Sequence, residues 1–111
     1  EEIPMTNLTE LNMLFPSYKK EIDSPAGKIF EKEYKKKNNV NPNSYATKGF
    51  DLTFDTLLRI CQEDGFVPST KNNISEYVEN TFDYNFKDGK NVNEGVYIMY
   101  YDTDYSIKQV Q

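Results

Sequence analysis

Asp51 and Asp55 stand four residues apart in a chain of 111 residues, the spacing that sets two carboxylates on one face of a helix. Paired carboxylates are the least apparatus that general acid-base chemistry needs, one protonated and one ionised. Such work also requires a cleft and a displaced pKa. In the first half of a helix, two acids equally favour the macrodipole or bond to neighbouring backbone, and a structural role is the expectation here. The chain has no His and a single Cys. Cys61 lies on the apolar side of the same helix, where a buried thiol is expected, and no imidazole is present to activate it or to share a zinc ion with it. No catalytic residue, cofactor or metal site is assigned, and no residue is assigned to ligand contact.

Two acidic loops invite a cation reading. Asp102-Thr-Asp104-Tyr-Ser106 matches the first alternating positions of a calcium loop, but Ile107 occupies the sixth position, where Gly is needed. A hairpin turn is expected instead. Asp88-Gly89, with Asn91, Asn93 and Glu94, reads as a second acidic loop that is an ordinary hairpin connection. Tyr97, Tyr100, Tyr101 and Tyr105 could stack against a sugar or a peptide, although strand aromatics at such spacing more often build a core. The sequons Asn7-Leu-Thr9 and Asn73-Ile-Ser75 are read as chance matches.

Composition narrows the classes. The 9 Tyr and 7 Phe supply large buried area in a chain that is only 37% hydrophobic, which suits a globular domain with an aromatic core. A net charge of -5 argues against a nucleic-acid surface. The densest basic stretch, Glu31-Lys-Glu-Tyr-Lys-Lys-Lys37, places Glu31 before Lys35 and Glu33 before Lys37 in the favourable order of a solvated helix. No segment reaches the roughly 18 apolar residues of a membrane span and none reads as a signal peptide, so the chain is expected to be mature or an internal excerpt.

The elements that must hold these residues follow from pattern. Leu11 to Phe15 reads as a short buried strand or an apolar lead-in. At Asp23-Ser24-Pro25, Ser24 suits an N-cap and Pro25 the first helical position, opening a helix to about Lys37 that buries Ala26, Ile29, Phe30 and Tyr34. Asn38 to Asn43 breaks it. Ser44 then caps a helix from Tyr45 to about Asp64, with Tyr45, Gly49, Leu52, Thr53, Thr56, Leu57, Ile60 and Cys61 forming a stripe built to lie against something. The two helices lie side by side or splay in an L. After Gly65, residues Phe66 to Thr70 form a loop, and Asn73-Ile-Ser-Glu76 reads as a capping box opening a short helix through Tyr77 and Val78. Phe82, Tyr84 and Phe86 alternate as a strand, Val96 to Tyr101 is the central strand, and Tyr105 to Val110 returns as the third. The expectation is one partial domain over 1–111: helices over 19–65, loop and short helix over 66–80, and antiparallel strands over 81–111.

That order, together with Phe30-Glu-Lys-Glu-Tyr34, Asn41-Pro-Asn-Ser-Tyr-Ala46, Gly49-Phe-Asp-Leu-Thr-Phe-Asp55 and Leu57-Leu-Arg59, resembles the C-terminal part of type I periplasmic-binding-fold domains. These are related to the substrate-binding components of branched-chain amino-acid transporters. The stretches Glu76-Tyr-Val-Glu-Asn-Thr-Phe82 and Asn93-Glu-Gly-Val-Tyr-Ile98 look like the subgroup in Bacteroidetes that follows LysM peptidoglycan-binding repeats. The resemblance implies an α/β fold, α+β over this stretch: two to three helices, then a three-stranded antiparallel meander, part of one lobe of a two-lobed receptor. It implies a non-enzymatic solute receptor for an amino acid or similar polar metabolite, in the periplasm or cell envelope, with peptidoglycan contact through other domains. The alternative is an envelope scaffold or interaction module with a vestigial cleft. A homo-oligomer through an exposed strand edge or aromatic face is a further expectation.

Overall fold

The computed structural model describes residues 2–20, 24–71 and 73–110. It is a mixed α+β chain with antiparallel strands. Helix α1 (Met5–Glu10) precedes strand β1 (Leu14–Ser17), helix α2 (Pro25–Asn38), helix α3 (Ser44–Ile60) and the single turn α4 (Phe66–Ser69). Six strands follow: β2 (Ser75–Glu76), β3 (Thr81–Phe82), β4 (Tyr84–Lys87), β5 (Lys90–Asn93), β6 (Tyr97–Tyr101) and β7 (Ile107–Gln109).

The long helices begin where their caps dictate. The Ser24 hydroxyl accepts from Gly27 N–H at 3.0 Å and Pro25 takes the first turn, as the cap signal predicts; Asp23 lies outside the described residues. For α3 the cap is Asn43, whose Oδ1 accepts from Ala46 N–H at 2.9 Å, and Ser44 is the first helical residue. Asn and Ser compete closely at this position, and Asn43 wins by being one residue earlier, in extended backbone. Helix α3 ends at Ile60, a turn before the expected Asp64.

The central strand is β6, as expected, with β7 on one side. Its other neighbour is β1, paired from Leu14↔Tyr100 to Ser17↔Tyr97, so the sheet order is β1-β6-β7 and the expected meander of three consecutive strands is not what forms. Of the two readings of Leu11 to Phe15, a strand forms only from Leu14 onward, and it is not buried: Leu14 is exposed and Phe15 half-buried. The expected strand through Phe82, Tyr84 and Phe86 is divided at Asp83 between two small ribbons, β2-β3 and β4-β5. Asn93 makes the division: its Oδ1 accepts from Asp83 N–H and Gly95 N–H, and its Nδ2 donates to the Thr81 carbonyl. Asp88 (φ 49°) and Gly89 (φ 76°) are both left-handed, the two-residue turn that Asp-Gly favours, so Lys90–Asn93 is a strand where a long loop was expected.

Two local signals yield to tertiary contacts. The expected loop at Phe66 to Thr70 winds into α4, its hydroxyls closing the turn through Ser69 Oγ to the Phe66 carbonyl and Thr70 Oγ1 to the Val67 carbonyl. The expected capping box at Asn73 to Glu76 is instead strand β2, because Ser75 Oγ is drawn onto Asp55 and Arg59.

The chain is loosely assembled. Its radius of gyration is 16.8 Å, against about 13 Å for a compact domain of this length, and its accessible surface is 8430 Å², against roughly 6,300 Å² for a compact monomer of 13.0 kDa. The apolar core proper is Val78, Phe82, Tyr97 and Met99. Helix α2 meets α3 through Phe30 and Phe50, whose ring centroids are 4.8 Å apart, and the pair splays. Consequently Ala26 and Ile29, expected inside, are exposed, Phe30 and Tyr34 are half-buried, and Gly27 is the buried residue of α2.

Candidate functional site

Helix α3 is turned the opposite way to its sequence pattern. Thr47, Asp51, Asp55 and Arg59, spaced by four, are the residues it buries. Gly49, Leu52, Thr53, Leu57, Ile60 and Cys61, from the stripe expected to face inward, are exposed, as is Tyr45, and Thr56 is intermediate. Cys61, expected buried, is an exposed free thiol at the helix C-cap. The stripe is real, but its partner is not supplied by the described residues.

What holds the polar face inside is hydrogen bonding. The Asp51 carboxylate is fully buried and accepts from the backbone N–H groups of Val78, Glu79 and Asn80 at 3.0, 2.9 and 3.0 Å, and from Asn80 Nδ2 at 2.8 Å. Three successive N–H groups aimed at one carboxylate fix the 78–80 loop against the helix. The same loop receives a bond from Lys20, beyond the end of β1, whose N–H donates to the Glu79 carbonyl at 2.9 Å.

One turn on, Asp55 Oδ2 takes Arg59 Nε at 2.8 Å, and Oδ1 takes the hydroxyls of Ser75 at 2.6 Å and Tyr77 at 3.0 Å. Arg59 Nη1 donates to the Ser69 carbonyl; Nη2 donates to the Asn73 carbonyl and to Ser75 Oγ. Its guanidinium lies 5.1 Å from the Tyr84 ring centroid, a cation-π contact. Arg59 thereby ties α4, β2 and β4 to α3. Burial, and then Asp55, push the Tyr84 hydroxyl above its ordinary value; burial likewise raises Tyr77.

The two aspartates found first in the sequence are thus brought to one buried face and engaged with different partners. Ser75 donates to a carboxylate whose other oxygen is paired with Arg59, so the cluster ties β2 to α3. Sequence reasoning missed Arg59, Ser75, Tyr77, Glu79 and Asn80. The available signal was the i,i+4 spacing of Thr47, Asp51, Asp55 and Arg59, an ion pair included, on the side opposite the apolar stripe.

Glu79 is different. Among the described residues, its Oε1 and the Tyr97 hydroxyl are buried without a hydrogen-bond partner. Burial raises the Glu79 carboxyl above its ordinary 4.5, partly offset by Lys19, and burial pushes the Tyr97 hydroxyl far up. A carboxyl whose pKa is higher folded than unfolded contributes its stability below the unfolded value, and that contribution is lost as pH rises through the folded value. Glu79→Gln is therefore expected to stabilise the chain at pH 7 by on the order of 1 kcal/mol and to flatten the fall in stability that begins near pH 4.5. Urea titrations from pH 4 to 8 check this; an unchanged slope would mean that Glu79 is solvated.

The loops behave as turns. Asp102 and Asp104 both pair with Lys108, and Asp104 Oδ1 also accepts from Ser106 N–H; the Ser106 bonds, then Lys108, hold Asp104 down at about 2. The four tyrosines do not share a platform: Tyr97 is core, Tyr101 packs on Phe15 at 5.1 Å, and Tyr105 projects from the turn. A longer aromatic run exists elsewhere. Tyr34, Phe30, Phe50, Phe54, Tyr77, Phe82, Tyr84 and Phe66 follow one another at centroid distances of 4.8 to 6.1 Å. It runs from α2 by way of α3 and β4 to α4.

Two recesses flank α3. One, of about 630 Å³, lies between α2 and α3 and is lined by Phe30, Tyr34 and Phe50 with Glu33, Lys36 and Lys37 at its edge. The other, of about 430 Å³, lies between Lys48, Leu52 and the hairpin, where the Asn80, Asn91 and Asn93 side-chain amides all bond within the protein. No helix among the described residues is long and apolar enough to cross a membrane. Comparison of the chain with protein-family models, with curated proteins and with solved structures finds no match.

Proposed function

We propose that this chain is a non-enzymatic contact module of the cell envelope, part of a periplasmic-binding-like domain, whose outer α3 face is covered by another protein surface. The observation that carries it is the inversion of α3. Its charged residues Asp51, Asp55 and Arg59 are buried and satisfied, while Tyr45, Leu57 and Ile60, on the side of the helix away from them, are each more than half exposed. An apolar face of that extent, on a helix already anchored through its polar side, marks an interaction surface. Lysines placed there by Leu57→Lys with Ile60→Lys are expected to leave the chain's own melting temperature nearly unchanged and to reduce the mass of the assembly that the full-length protein forms in envelope extract. An assembly unaltered by both lysines would refute the proposal.

The recess between α2 and α3 favours a second reading, the solute receptor. Its volume falls within the range of small-molecule sites, and Lys36, Lys37 and Glu33 offer charges of both signs beside aromatic rings, as the carboxylate and amine of an amino acid require. Isothermal titration of the full-length protein with a panel of amino acids tests it; silence across the panel sinks it.

A further inference from the structure

A third recess, of about 420 Å³, opens where the small ribbons meet the ends of β6 and β7. Its walls are hydrocarbon: Ile74, Val96, Ile98 and Val110 line it and are each more than two-fifths exposed. Its charged groups are Glu76 on β2, Asp83 between β3 and β4, and Glu94 after β5. Two of these already hold a lysine, since Glu94 binds Lys87 and Asn85, and Glu76 lies 3.6 Å from Lys20 Nζ. Asp83 is fixed through its backbone, its N–H by Asn93 Oδ1 and its carbonyl by Glu94 N–H, while its carboxylate bonds to none of the described residues. One negative charge in the recess is therefore without a counter-charge. Carboxylates alone would not make a site, but Tyr97 lines the same recess, is 3% exposed, and carries a hydroxyl with no hydrogen-bond partner among the described residues. Burial first, then the carboxylates of Glu76 and Asp51, keep that hydroxyl protonated, and Thr81 also bears on it. Glu76 and Thr81 face each other across β2-β3 and both line the cavity, so the hydroxyl is turned toward it. Thr81 gives its own proton to the Ser75 carbonyl at 3.2 Å. A buried phenol left in this state costs stability, and a partner arriving from the recess would remove the cost.

We propose that this recess binds an alkylammonium group, the end of a lysine side chain or of a free aliphatic amine, its nitrogen held between the Asp83 carboxylate and the Tyr97 hydroxyl and its methylenes against Ile74, Ile98 and Val110. The site shares no lining residue with the recess between α2 and α3 and lies off the outer face of α3, so it goes beyond both readings above. Three features select this ligand. The single uncompensated charge matches one positive charge, and the carboxylates repel anions. An ammonium has three N–H donors and no acceptor, while a carboxylate and a neutral phenol both offer lone pairs. The apolar walls suit the hydrocarbon stem of such a group, which packs on apolar surface while its head stays polar. A divalent cation would need six or more oxygen ligands, which walls of this kind do not supply. The volume falls within the range of small-molecule sites.

The test is a nuclear magnetic resonance titration of the full chain with Nα-acetyl-lysine methylamide and with n-pentylamine, n-pentanol serving as the neutral control. Saturable shifts are expected at the amides of Glu76, Thr81, Asp83 and Tyr97, with a dissociation constant of about 1 mM or tighter for at least one amine, and with n-pentanol at least about tenfold weaker. Tighter binding of the lysine derivative would identify the source as a side chain, and tighter binding of n-pentylamine a free amine. Asp83→Asn is expected to weaken binding about tenfold or more, and Tyr97→Phe about threefold to tenfold. The melting temperature of the unliganded Tyr97→Phe chain should stay at or above that of the parent, because the hydroxyl it loses has no partner to lose; a residue that served only the fold would show a lower melting temperature and unchanged binding. A titration in which neither amine shifts these amides, or in which n-pentanol equals them, would overturn the proposal. So would amine binding that survives both substitutions unchanged. Neither result would touch the contact-module reading, which rests on α3.

Discussion

Replacing Asp51 by alanine is expected to cost about 4 kcal/mol or more, from three unsatisfied N–H groups at roughly 1–3 kcal/mol each. Against the total stability of about 5–15 kcal/mol typical of a domain, that brings the chain close to unfolding. The substitution removes the acceptor of four hydrogen bonds at once, and water has little access, since the carboxylate is 0% exposed. Asp51→Asn retains the size but turns an NH2 group toward groups that are themselves donors, so about 2–4 kcal/mol is expected for it. Urea denaturation gives the size of the loss. Hydrogen exchange gives its location, with the amides of Val78, Glu79 and Asn80 losing protection first. A loss below about 1 kcal/mol for alanine would mean that solvent replaces the carboxylate, and the loop would then owe its shape to something else.

Arg59→Leu is expected to cost about 3–5 kcal/mol, the usual result of removing one partner from a buried pair. The loss has two parts: Asp55 keeps only the Ser75 and Tyr77 hydroxyls, and the Asn73 carbonyl loses the guanidinium donor while the Ser69 carbonyl is left with Asn73 Nδ2. Asp55→Leu leaves the opposite charge stranded. The double variant is expected to cost less than the two single losses added, because two leucines leave no uncompensated charge between them, and a coupling of about 1–3 kcal/mol is the scale for residues in direct contact. Strict additivity in a double-mutant cycle would show that Asp55 and Arg59 do not act as a pair. Near-ultraviolet circular dichroism would register the same change at Tyr84, whose ring lies beside the guanidinium.

The helices were legible because their caps are local. Ser24 with Pro25, and Asn43 one residue from the expected Ser44, act within four residues of chain, and so does the Asp88-Gly89 turn, whose signal was present and read as a looser loop. The strand partners were not legible in the same way. Nothing near Tyr97 indicates that it pairs with Ser17 rather than with the neighbouring ribbon, and at Asp83 a continuous alternation is divided by the side chain of Asn93, ten residues away. Ser75 and Glu76 carry a good capping signal that loses to Asp55 and Arg59, twenty and sixteen residues back.

The apolar stripe of α3 shows the limit most plainly. Periodicity identifies which residues share a face, and it did so for Gly49, Thr53, Leu57 and Ile60; it does not say whether the surface opposite belongs to the same molecule. Core position was assigned to that face because apolar residues are usually covered from within. The polar row Thr47, Asp51, Asp55 and Arg59 goes unread as a face, because charges are usually solvated. Both defaults fail together when a helix is held by its ions and presents its hydrocarbons outward.

The pairing of β1 with β6 also sets an order of events in time. Leu14 to Ser17 meet residues roughly eighty positions away along the chain, and closing a loop of that length carries an entropic penalty of about 4 kcal/mol before any contact rewards it. The capped helices and the Asp88-Gly89 hairpin need no such closure. They are therefore the elements to emerge first in a refolding experiment, with α3 already formed while β6 still lacks its neighbour. During that interval the open side of β6 and the bare stripe of α3 coexist on one molecule, so the yield of refolding falls with protein concentration more steeply than the stability of the finished chain would suggest.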